Sequence, residues 1–484
     1  MKFQSTRGAE KGVASAEAII KGIAKDGGLF VPESFPELYS KVKDNMDLSY
    51  EDLAFKVISE YFTDIDKDEL MSAINDAYNN RFSVDVKKGF LELYHGPTCA
   101  FKDAALLFLP QIMKRAKKAL NVKEDVVILT ATSGDTGKAA LEGFKNVDGF
   151  KVVVYYPQNG VSPIQERQMA TTEGNNVKVF SIKGNFDNAQ TGVKEIFADN
   201  EFKELLEKDN YILSSANSIN IGRLVPQIVY YFYGYFQLVK QGEIKEGEEI
   251  NVVVPTGNFG NILASYYAKR MGLPVAKFIC ASNENKVLTD FFNSFEYDKR
   301  RELFLTESPS MDILVSSNLE RLLYEGSGRN GEEVAELMNA LNTKGVYKVS
   351  PKIKEFLKDF YGNYANQEEV NDAINNMYSK EGYLIDTHTA VAKVVYDKYV
   401  KETGDNKKVL IASTASPYKF PRSICKALNI DVDGISDFEV VKKLNEVTKI
   451  EIPENLKDLD KKPVLHNEVW DKDQMRDALL SYLK

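Results

Sequence analysis

From about residue 91 onward, short β-branched segments alternate with segments of helical periodicity, and this alternation constrains the fold more than any other feature. The predicted strands cover residues 126–130, 151–156, 177–182, 250–254, 277–281 and 408–412. The helical segments between them include residues 104–120, 136–146, 222–241 and 261–271. Strands that alternate with helices form βαβ units. The sequence therefore predicts an α/β fold with a mainly parallel sheet.

The segments on either side of this alternating region have a different pattern. Residues 1–90 carry mainly helix-spaced apolar residues, which predict a helical N-terminal domain. Residues 318–380 are strongly charged and helical in pattern without a clear strand, which indicates a helical insertion. Beyond residue 438 the pattern weakens, so residues 451–484 are predicted to form a C-terminal tail.

Charge and composition argue against several classes of partner. The 484 residues are 43% hydrophobic, which suffices for a large core without disulfides. The net charge of −9, without a long Lys/Arg run, argues against nucleic acid or an anionic membrane as the main partner. No stretch of about 18 uncharged apolar residues suggests a membrane span. Three separated cysteines and no signal-peptide pattern favour a cytoplasmic location, and three distant histidines give no support for a metal site.

Small polar residues are concentrated at three places where a predicted strand ends. They are Thr-Ala-Thr-Ser-Gly-Asp-Thr-Gly at 130–137, Pro-Thr-Gly-Asn-Phe-Gly-Asn at 255–261 and Ser-Thr-Ala-Ser-Pro at 413–417. In open α/β sheets, ligands bind beyond the carboxyl ends of the strands, where the free N–H groups of the next helix favour anions. A helix cap alone would account for the third segment, and an ordinary glycine turn equally well for the second. The segment at 130–137 has more small polar residues than a helix cap needs, which favours a ligand site there.

Lys102 has an unusual sequence setting for a lysine. It follows Phe101 and immediately precedes a predicted helix, whereas most lysines are solvated surface charges. An apolar neighbour and a helix N-terminus both disfavour the ammonium form. A free amine here would be available as a Schiff-base former or a proton carrier.

Together these motifs resemble those of fold-type II pyridoxal-phosphate enzymes, the class of the tryptophan synthase β-subunit. More narrowly, they resemble the bacterial and fungal threonine synthases, which have a helical N-terminal domain. The matching motifs are His-Gly-Pro-Thr and Phe-Lys-Asp at 95–98 and 101–103, the loops at 132–137, 257–261 and 413–417, Ser-Thr-Arg-Gly at 5–8, Asp-Gly-Gly-Leu-Phe-Val-Pro at 26–32, Ser-Ala-Asn-Ser-Ile-Asn-Ile-Gly-Arg at 215–223 and Asp-Thr-His-Thr-Ala-Val-Ala at 386–392. The resemblance therefore covers nearly the whole chain.

The resemblance implies a cofactor site for pyridoxal 5'-phosphate. Lys102 would hold the cofactor covalently and move protons, with Phe101 near the cofactor ring. Thr414 would place a hydroxyl at the pyridine nitrogen, which should leave that nitrogen largely unprotonated. The residues that would bind the cofactor phosphate, mainly through backbone amides, are Gly257, Asn258, Phe259, Gly260 and Asn261.

The resemblance also implies a substrate site. Ser133 and Thr136 correspond to the loop that binds the substrate α-carboxylate. The residues that correspond to the substrate-phosphate site are Asn217, Ser218 and Arg223, of which the arginine suits forked phosphate recognition. Asp135 stands where many relatives have an asparagine, and a carboxylate there would repel the substrate carboxylate unless it is turned away or protonated.

The reaction implied by the resemblance converts O-phospho-L-homoserine and water to L-threonine and phosphate, the last step of threonine biosynthesis. The alternative is a phospholyase or dehydratase of the same fold, which would release 2-oxobutyrate. The expected partner is this small substrate, bound by a monomer or dimer. The resemblance further implies two lobes with mainly parallel sheets: a large cofactor-binding lobe from residues 91–130 and 216–450, and a small mobile lobe from residues 131–215.

Overall fold

The computed structural model describes residues 1–132 and 134–484, and its framework is two separate, mainly parallel sheets. The strands are β1 (Lys2–Ser5), β2 (Val13–Ala14), β3 (Phe30–Pro32), β4 (Ser83–Lys87), β5 (Phe90–His95), β6 (Asp125–Ala131), β7 (Phe150–Pro157), β8 (Val177–Lys183), β9 (Tyr211–Ser214), β10 (Ile250–Pro255), β11 (Val275–Ser282), β12 (Glu296–Asp298), β13 (Val346–Lys348), β14 (Phe360–Tyr364), β15 (Val409–Ser413) and β16 (Val469–Asp471). The α-helices are α1 (Ser15–Lys21), α2 (Tyr39–Val42), α3 (Tyr50–Ile58), α4 (Lys67–Tyr78), α5 (Asp103–Leu106), α6 (Phe108–Leu120), α7 (Asp135–Phe144), α8 (Pro163–Ala170), α9 (Phe186–Ala198), α10 (Asn200–Lys208), α11 (Ile221–Leu224), α12 (Pro226–Lys240), α13 (Gly260–Arg270), α14 (Val287–Ser294), α15 (Leu319–Gly326), α16 (Gly331–Lys344), α17 (Pro351–Phe356), α18 (Gln367–Glu381), α19 (Thr387–Thr403), α20 (Pro421–Ala427), α21 (Asp437–Thr448) and α22 (Met475–Leu483). Within these described ranges, no helix combines the length and the apolar character needed to cross a membrane.

The larger sheet has the strand order β14-β11-β10-β15-β5-β4, and all neighbours are parallel except the edge pair β4 and β5. Its central strand β10 is buried on both faces, because Val252 and Val254 join one hydrophobic cluster while Val253 joins another. Continuous β-branched runs are typical of parallel strands covered on both sides. All six strands predicted from the sequence are present, and the predicted α/β fold with mainly parallel strands is confirmed.

The smaller sheet has the strand order β16-β8-β7-β6-β9, and all its strands are parallel. Its edge strand β16 comes from residues that the sequence analysis assigned to a C-terminal tail. Helix α22 follows, and Met475 and Leu479 are buried in the hydrophobic cluster beneath this sheet. The end of the chain thus belongs to the smaller sheet and its hydrophobic cluster and is not a separate tail. A strand of three residues is too short to show as a sequence pattern.

The N-terminal region packs against the elements that carry the predicted site. Besides α1–α4 it contains a three-stranded antiparallel sheet in the order β2-β1-β3. The carbonyl oxygen of Ile19 accepts a hydrogen bond from Asn220 at 2.9 Å, at the start of α11. The hydroxyl of Tyr78 donates to the carbonyl oxygen of Ala104 in α5 at 2.6 Å. The N-terminal region therefore stabilises the helices next to Lys102 and Arg223.

The segment 318–380 is not purely helical, so the expectation that it contains no strand was wrong. Strand β14 forms the edge of the larger sheet, where it pairs in parallel with β11 from Phe278↔Phe360 to Ser282↔Tyr364. Strand β13 forms a two-stranded antiparallel ribbon with β12. The sequence of β14, Phe-Tyr-Gly-Asn-Tyr, carries a glycine and an asparagine that weaken the strand pattern.

Candidate active site

A cleft of about 690 Å³ lies at the carboxyl ends of β6, β10 and β15, between the two sheets. The predicted site residues that border it are Phe101, Lys102, Thr136, Asn217, Ser218, Arg223, Gly257, Asn258, Phe259, Gly260, Asn261 and Thr414. Ser133, the remaining predicted site residue, lies outside the described residues. The fold thus brings together residues from five separate places in the sequence, as expected at the carboxyl edge of parallel strands.

The loop that carries Lys102 is held rigidly at the entrance to α5. The buried carboxylate of Asp103 accepts hydrogen bonds from the backbone N–H and the hydroxyl of Thr98, at 2.8 and 2.7 Å. Gly96 lies so close to Asp103 that a Cβ there would be 2.4 Å from a carboxylate oxygen, so only glycine fits. These contacts fix the backbone from which the Lys102 side chain enters the cleft.

The Lys102 side chain is largely buried, at 13% exposure, and its amine has two polar groups nearby. Its Nζ lies 3.4 Å from the hydroxyl of Ser310 and 3.9 Å from a carboxylate oxygen of Asp135. Burial lowers the pKa of Lys102, while the charge of Asp135 opposes part of this effect. A lowered pKa increases the fraction of free amine, which suits a covalent carrier or a proton-transfer group.

The loop between β10 and α13 has the geometry of a phosphate site. Phe259 adopts a left-handed conformation with φ of 65°, and Gly260 begins an 11-residue helix whose first N–H groups are free. The amide Nδ2 of Asn261 is buried and has no hydrogen-bond partner among the described residues, although its Oδ1 accepts from Tyr230 at 2.9 Å. An unpaired buried donor beside a helix N-terminus fits the phosphate of the implied cofactor.

Arg223 provides a second, separate donor in the same cleft. The residue is buried, its Nη1 donates to the carbonyl oxygen of Ala216 at 2.6 Å, and its Nε has no partner among the described residues. Burial lowers the pKa of Arg223 to about 10, yet a guanidinium stays charged at neutral pH. The ion pairs of the described residues do not include Arg223, so this cation is uncompensated and suits a bound anion.

Asn318 and Arg321 lie outside the lining of the cleft but connect two of its loops, a role that was not predicted from the sequence. The Nδ2 of Asn318 donates to the carbonyl oxygens of Asn258 at 3.0 Å and of Ser218 at 3.3 Å. Arg321 is fully buried, and it donates to Asn318 Oδ1 and to the carbonyl oxygen of Phe30. Together they join the two loops predicted to bind the two phosphates. Both residues lie in the segment predicted as an insertion, and no local motif marks them.

His388 also borders the cleft, and the sequence analysis named it only as part of a motif. Its Nδ1 lies 2.9 Å from a carboxylate oxygen of Asp386, and its Nε2 accepts the backbone N–H of Ser310 at 3.2 Å. The Asp386–His388 pair therefore positions the loop whose Ser310 hydroxyl lies next to Lys102.

Asp135 is neither turned away from the cleft nor protonated, the two alternatives that the sequence suggested. It borders the cleft at the first turn of α7, and its Oδ1 lies 2.8 Å from the Nζ of Lys419. Burial alone would raise the pKa of Asp135, but the charges of Lys419 and Lys102 hold it well below its usual range. Asp135 is therefore an ionised, paired carboxylate.

Comparison with known proteins agrees with this geometry. A family model described as pyridoxal-phosphate dependent enzyme matches residues 90–415, and models described as threonine synthase N terminus and threonine synthase C-terminal match residues 2–78 and 389–477. The sequence is 37% identical to threonine synthase from Schizosaccharomyces pombe over 477 residues, which covers 90% of each chain. It is 42% identical to human threonine synthase-like 1 over 436 residues, covering 86% of this chain but only 58% of the human protein's length.

A solved structure shows the same fold over the full chain. The crystal structure of pyridoxal-phosphate-bound threonine synthase from Brucella melitensis superposes with a TM-score of 0.88 at 33% identity, covering 100% of both chains. These matches confirm the family resemblance, the fold type and the cofactor class that the sequence motifs indicated. The chain belongs to the threonine synthase family of pyridoxal-phosphate-dependent enzymes.

Proposed function

We propose that the protein converts O-phospho-L-homoserine and water to L-threonine and phosphate. The observation that carries this proposal is the uncompensated, buried guanidinium of Arg223, which borders the same cleft as the Lys102 amine. A substrate that carries both an amino-acid group and a phosphate group could contact both residues, with its amino-acid group near Lys102 and its phosphate at Arg223. The relatives that share the fold over the whole chain are named threonine synthases, in agreement with this substrate.

Pyridoxal phosphate would be held by three elements of the large lobe. Lys102 would bind it covalently, the loop from Gly257 to Asn261 would bind its phosphate, and Thr414 would place a hydroxyl at its ring nitrogen. When bound, the cofactor supplies an electron sink that stabilises a carbanion next to the substrate amino group. The unpaired Nδ2 of Asn261 and the free N–H groups of α13 are the donors that support this arrangement.

The chain's own residues would bind the substrate and move its protons. Thr136, at the start of α7, would bind the α-carboxylate, since a helix N-terminus favours an anion, and Ser133 is proposed to join it. The Lys102 amine would remove the α-proton, since its lowered pKa favours the free-base form. The donors that would hold the γ-phosphate are Asn217, Ser218 and Arg223. By retaining the phosphate after it leaves, Arg223 would keep a base beside the water that adds at Cβ.

A product assay tests the proposal. Purified enzyme with pyridoxal phosphate is incubated with O-phospho-L-homoserine, and threonine, 2-oxobutyrate and phosphate are quantified together. We expect threonine and phosphate in equal amounts. Release of 2-oxobutyrate with phosphate would instead indicate the phospholyase or dehydratase reaction, and absence of turnover in the presence of bound cofactor would contradict both.

We further propose that the enzyme acts in the cytoplasm as a monomer or dimer. Its three cysteines are buried and unpaired in the fold, which is compatible with a reducing compartment. Analytical ultracentrifugation of the cofactor-bound enzyme would measure the oligomeric state.

A further inference from the structure

Lys419 forms a buried ion pair with Asp135, which borders the cleft. It is fully buried, just after the hydroxyl loop that follows β15 of the larger sheet. Its Nζ lies 2.8 Å from the Oδ1 of Asp135 and donates to Gln168 Oε1 at 2.7 Å. Asp135 and Gln168 belong to α7 and α8, which lie within residues 131–215, the predicted small lobe. The ammonium therefore joins the two predicted lobes at the carboxylate that lies 3.9 Å from the Lys102 amine.

The two oxygens of Asp135 face two different lysines. Oδ1 is satisfied by Lys419 and by the amide of Gln165 at 3.0 Å. Oδ2 lies 3.9 Å from the Nζ of Lys102, too far for a direct hydrogen bond. Lys102 and Lys419 thus compete for one carboxylate, and Lys419 has the closer contact.

We propose that Lys419 is a positioning residue that acts through Asp135 to keep Lys102 available for chemistry. Its ammonium serves as the counter-ion of Asp135. Lys102 therefore does not need to stay protonated to compensate the charge of Asp135. The pair is neutral as a whole, so that the α-carboxylate of an amino acid can bind at the start of α7 without facing an uncompensated negative charge. This inference rests on the proposed role of Lys102 as the cofactor lysine.

The charges around Lys102 determine whether a substitution favours or disfavours a proton on its nitrogen. The groups that face it are Asp135, Asp103, Arg223 and Lys419. The two carboxylates favour a proton on the Lys102 nitrogen, whereas the two cations disfavour it. Removing the charge of Lys419 should therefore favour protonation at this nitrogen, and removing the charge of Asp135 should disfavour it. If the pair had a purely structural role, the two substitutions would not shift this protonation in opposite directions.

The test is a pH titration of the visible absorbance of the cofactor-bound enzyme, which reports protonation of the nitrogen that Lys102 contributes. We expect the midpoint of the titration to rise by about one pH unit in Lys419→Met and to fall by a similar amount in Asp135→Asn. A shift of this size is at the lower end of what a charge a few ångströms away produces. In the double variant the two changes should largely cancel. The kcat/KM of Lys419→Met at pH 7 should fall about tenfold or more, while the acid limb of its pH profile moves in the same direction as the midpoint.

Gln168→Leu is the matched control, because it removes the neutral hydrogen-bond partner of Lys419 and leaves every charge in place. Its absorbance midpoint should equal that of the unaltered enzyme. Unchanged midpoints in Lys419→Met and Asp135→Asn, or shifts of the same sign in both, would overturn the inference. If Lys419→Met does not fold, the downward shift in Asp135→Asn and its reversal in the double variant decide the question. Persistence of the absorbance band in Lys102→Ala would instead refute the proposed function itself.

Discussion

The backbone N–H of Phe101 donates a hydrogen bond to the carbonyl oxygen of Thr414 at 2.8 Å, which joins the lysine loop to the hydroxyl loop after β15. The N–H of Ser416 donates in return to the carbonyl oxygen of Cys99 at 3.0 Å. Because these contacts use only backbone atoms, the position of residue 102 does not depend on its own side chain.

We therefore expect Lys102→Ala to remove activity while the protein remains folded. Without the amine, the cofactor has no covalent attachment point, and the α-proton has no base. The measurement is the visible band together with borohydride reduction, digestion and mass spectrometry of the unaltered enzyme. Discovery of the reduced cofactor on another lysine would refute the assignment. Far-ultraviolet circular dichroism of the variant checks its fold.

Arg223→Ala should lose turnover of O-phospho-L-homoserine and keep the cofactor band, because separate loops would bind the two phosphates. Loss of a charge-assisted contact in a buried site costs about 2–5 kcal/mol. This corresponds to a decrease in kcat/KM of roughly 30-fold or more. Arg223→Lys should recover only part of the activity, because a point charge replaces a planar fork.

Arg422→Ala is the matched control for this prediction. Its guanidinium is half-exposed and pairs with Asp437 at 2.7 Å. It does not border the cleft formed by the described residues. Its kcat/KM should stay close to that of the unaltered enzyme. Equal kcat/KM values for Arg223→Ala and Arg422→Ala would show that Arg223 does not bind the substrate phosphate.

The sequence predicted the parts of this site that consist of contiguous motifs, and it missed those that depend on tertiary contacts. The strand-to-helix loops around Lys102 and Asn258 were visible because small polar residues at a strand end are unusual. Lys419 and Asn318 were invisible, since a single lysine or asparagine has a surface role in most sequences and gains its meaning only from burial beside its partner. The same reason explains β16, whose three residues become a strand only by pairing with β8.

We propose that the small lobe closes over the substrate, since loss of phosphate needs a site from which bulk water is excluded. Phe186 and Gln190 of α9 border the cleft on the small-lobe side, and Leu303 and Val315 border it on the other. The latter two side chains are 44% and 43% exposed, so closure would cover apolar surface. Crystals with and without a phosphonate analogue of the substrate should differ by a rotation that brings α9 toward residues 303–315. Identical lobe positions in the two crystals would argue against closure.

Leu479→Ala should destabilise the small lobe by about 2–5 kcal/mol, because it leaves a cavity beneath the smaller sheet. Leu479 is fully buried in α22, within the hydrophobic cluster against which the single tryptophan, Trp470 in β16, packs. Urea unfolding monitored by Trp470 fluorescence measures this effect locally. Leu120→Ala, at a side chain that is 40% exposed, should change stability by less than about 0.5 kcal/mol. Equal unfolding midpoints for the two variants would show that the C-terminal helix does not stabilise the lobe.

A buried carboxylate outside the cleft gives a pH-dependent prediction. Glu92 lies in β5, and its side chain is 2% exposed. Burial alone would raise its pKa, but hydrogen bonds from His95 at 2.7 Å, Tyr383 at 2.7 Å and Lys87 at 2.9 Å lower the pKa of Glu92 to about 2. Because the pKa in the folded state lies below the ordinary value of 4.5, the ionised carboxylate stabilises the fold at neutral pH.

This stabilisation is present above pH 4.5 and is lost as the pH falls toward 2, since the unfolded chain takes up the proton first. Between pH 5 and pH 3.5 the linkage relation assigns a loss of about 1 kcal/mol to Glu92. Residue 92 does not titrate in Glu92→Gln, so this variant should be less stable than the unaltered protein at pH 7. The gap, which is the difference between their free energies of unfolding, should narrow by about 1 kcal/mol from pH 5 to pH 3.5. Asp85→Asn is the control, because Asp85 is exposed and its contacts with Lys87 and His95 are screened by solvent. Urea unfolding free energies at the three pH values measure the gap, and a gap that stays constant or widens on acidification would contradict the role of Glu92.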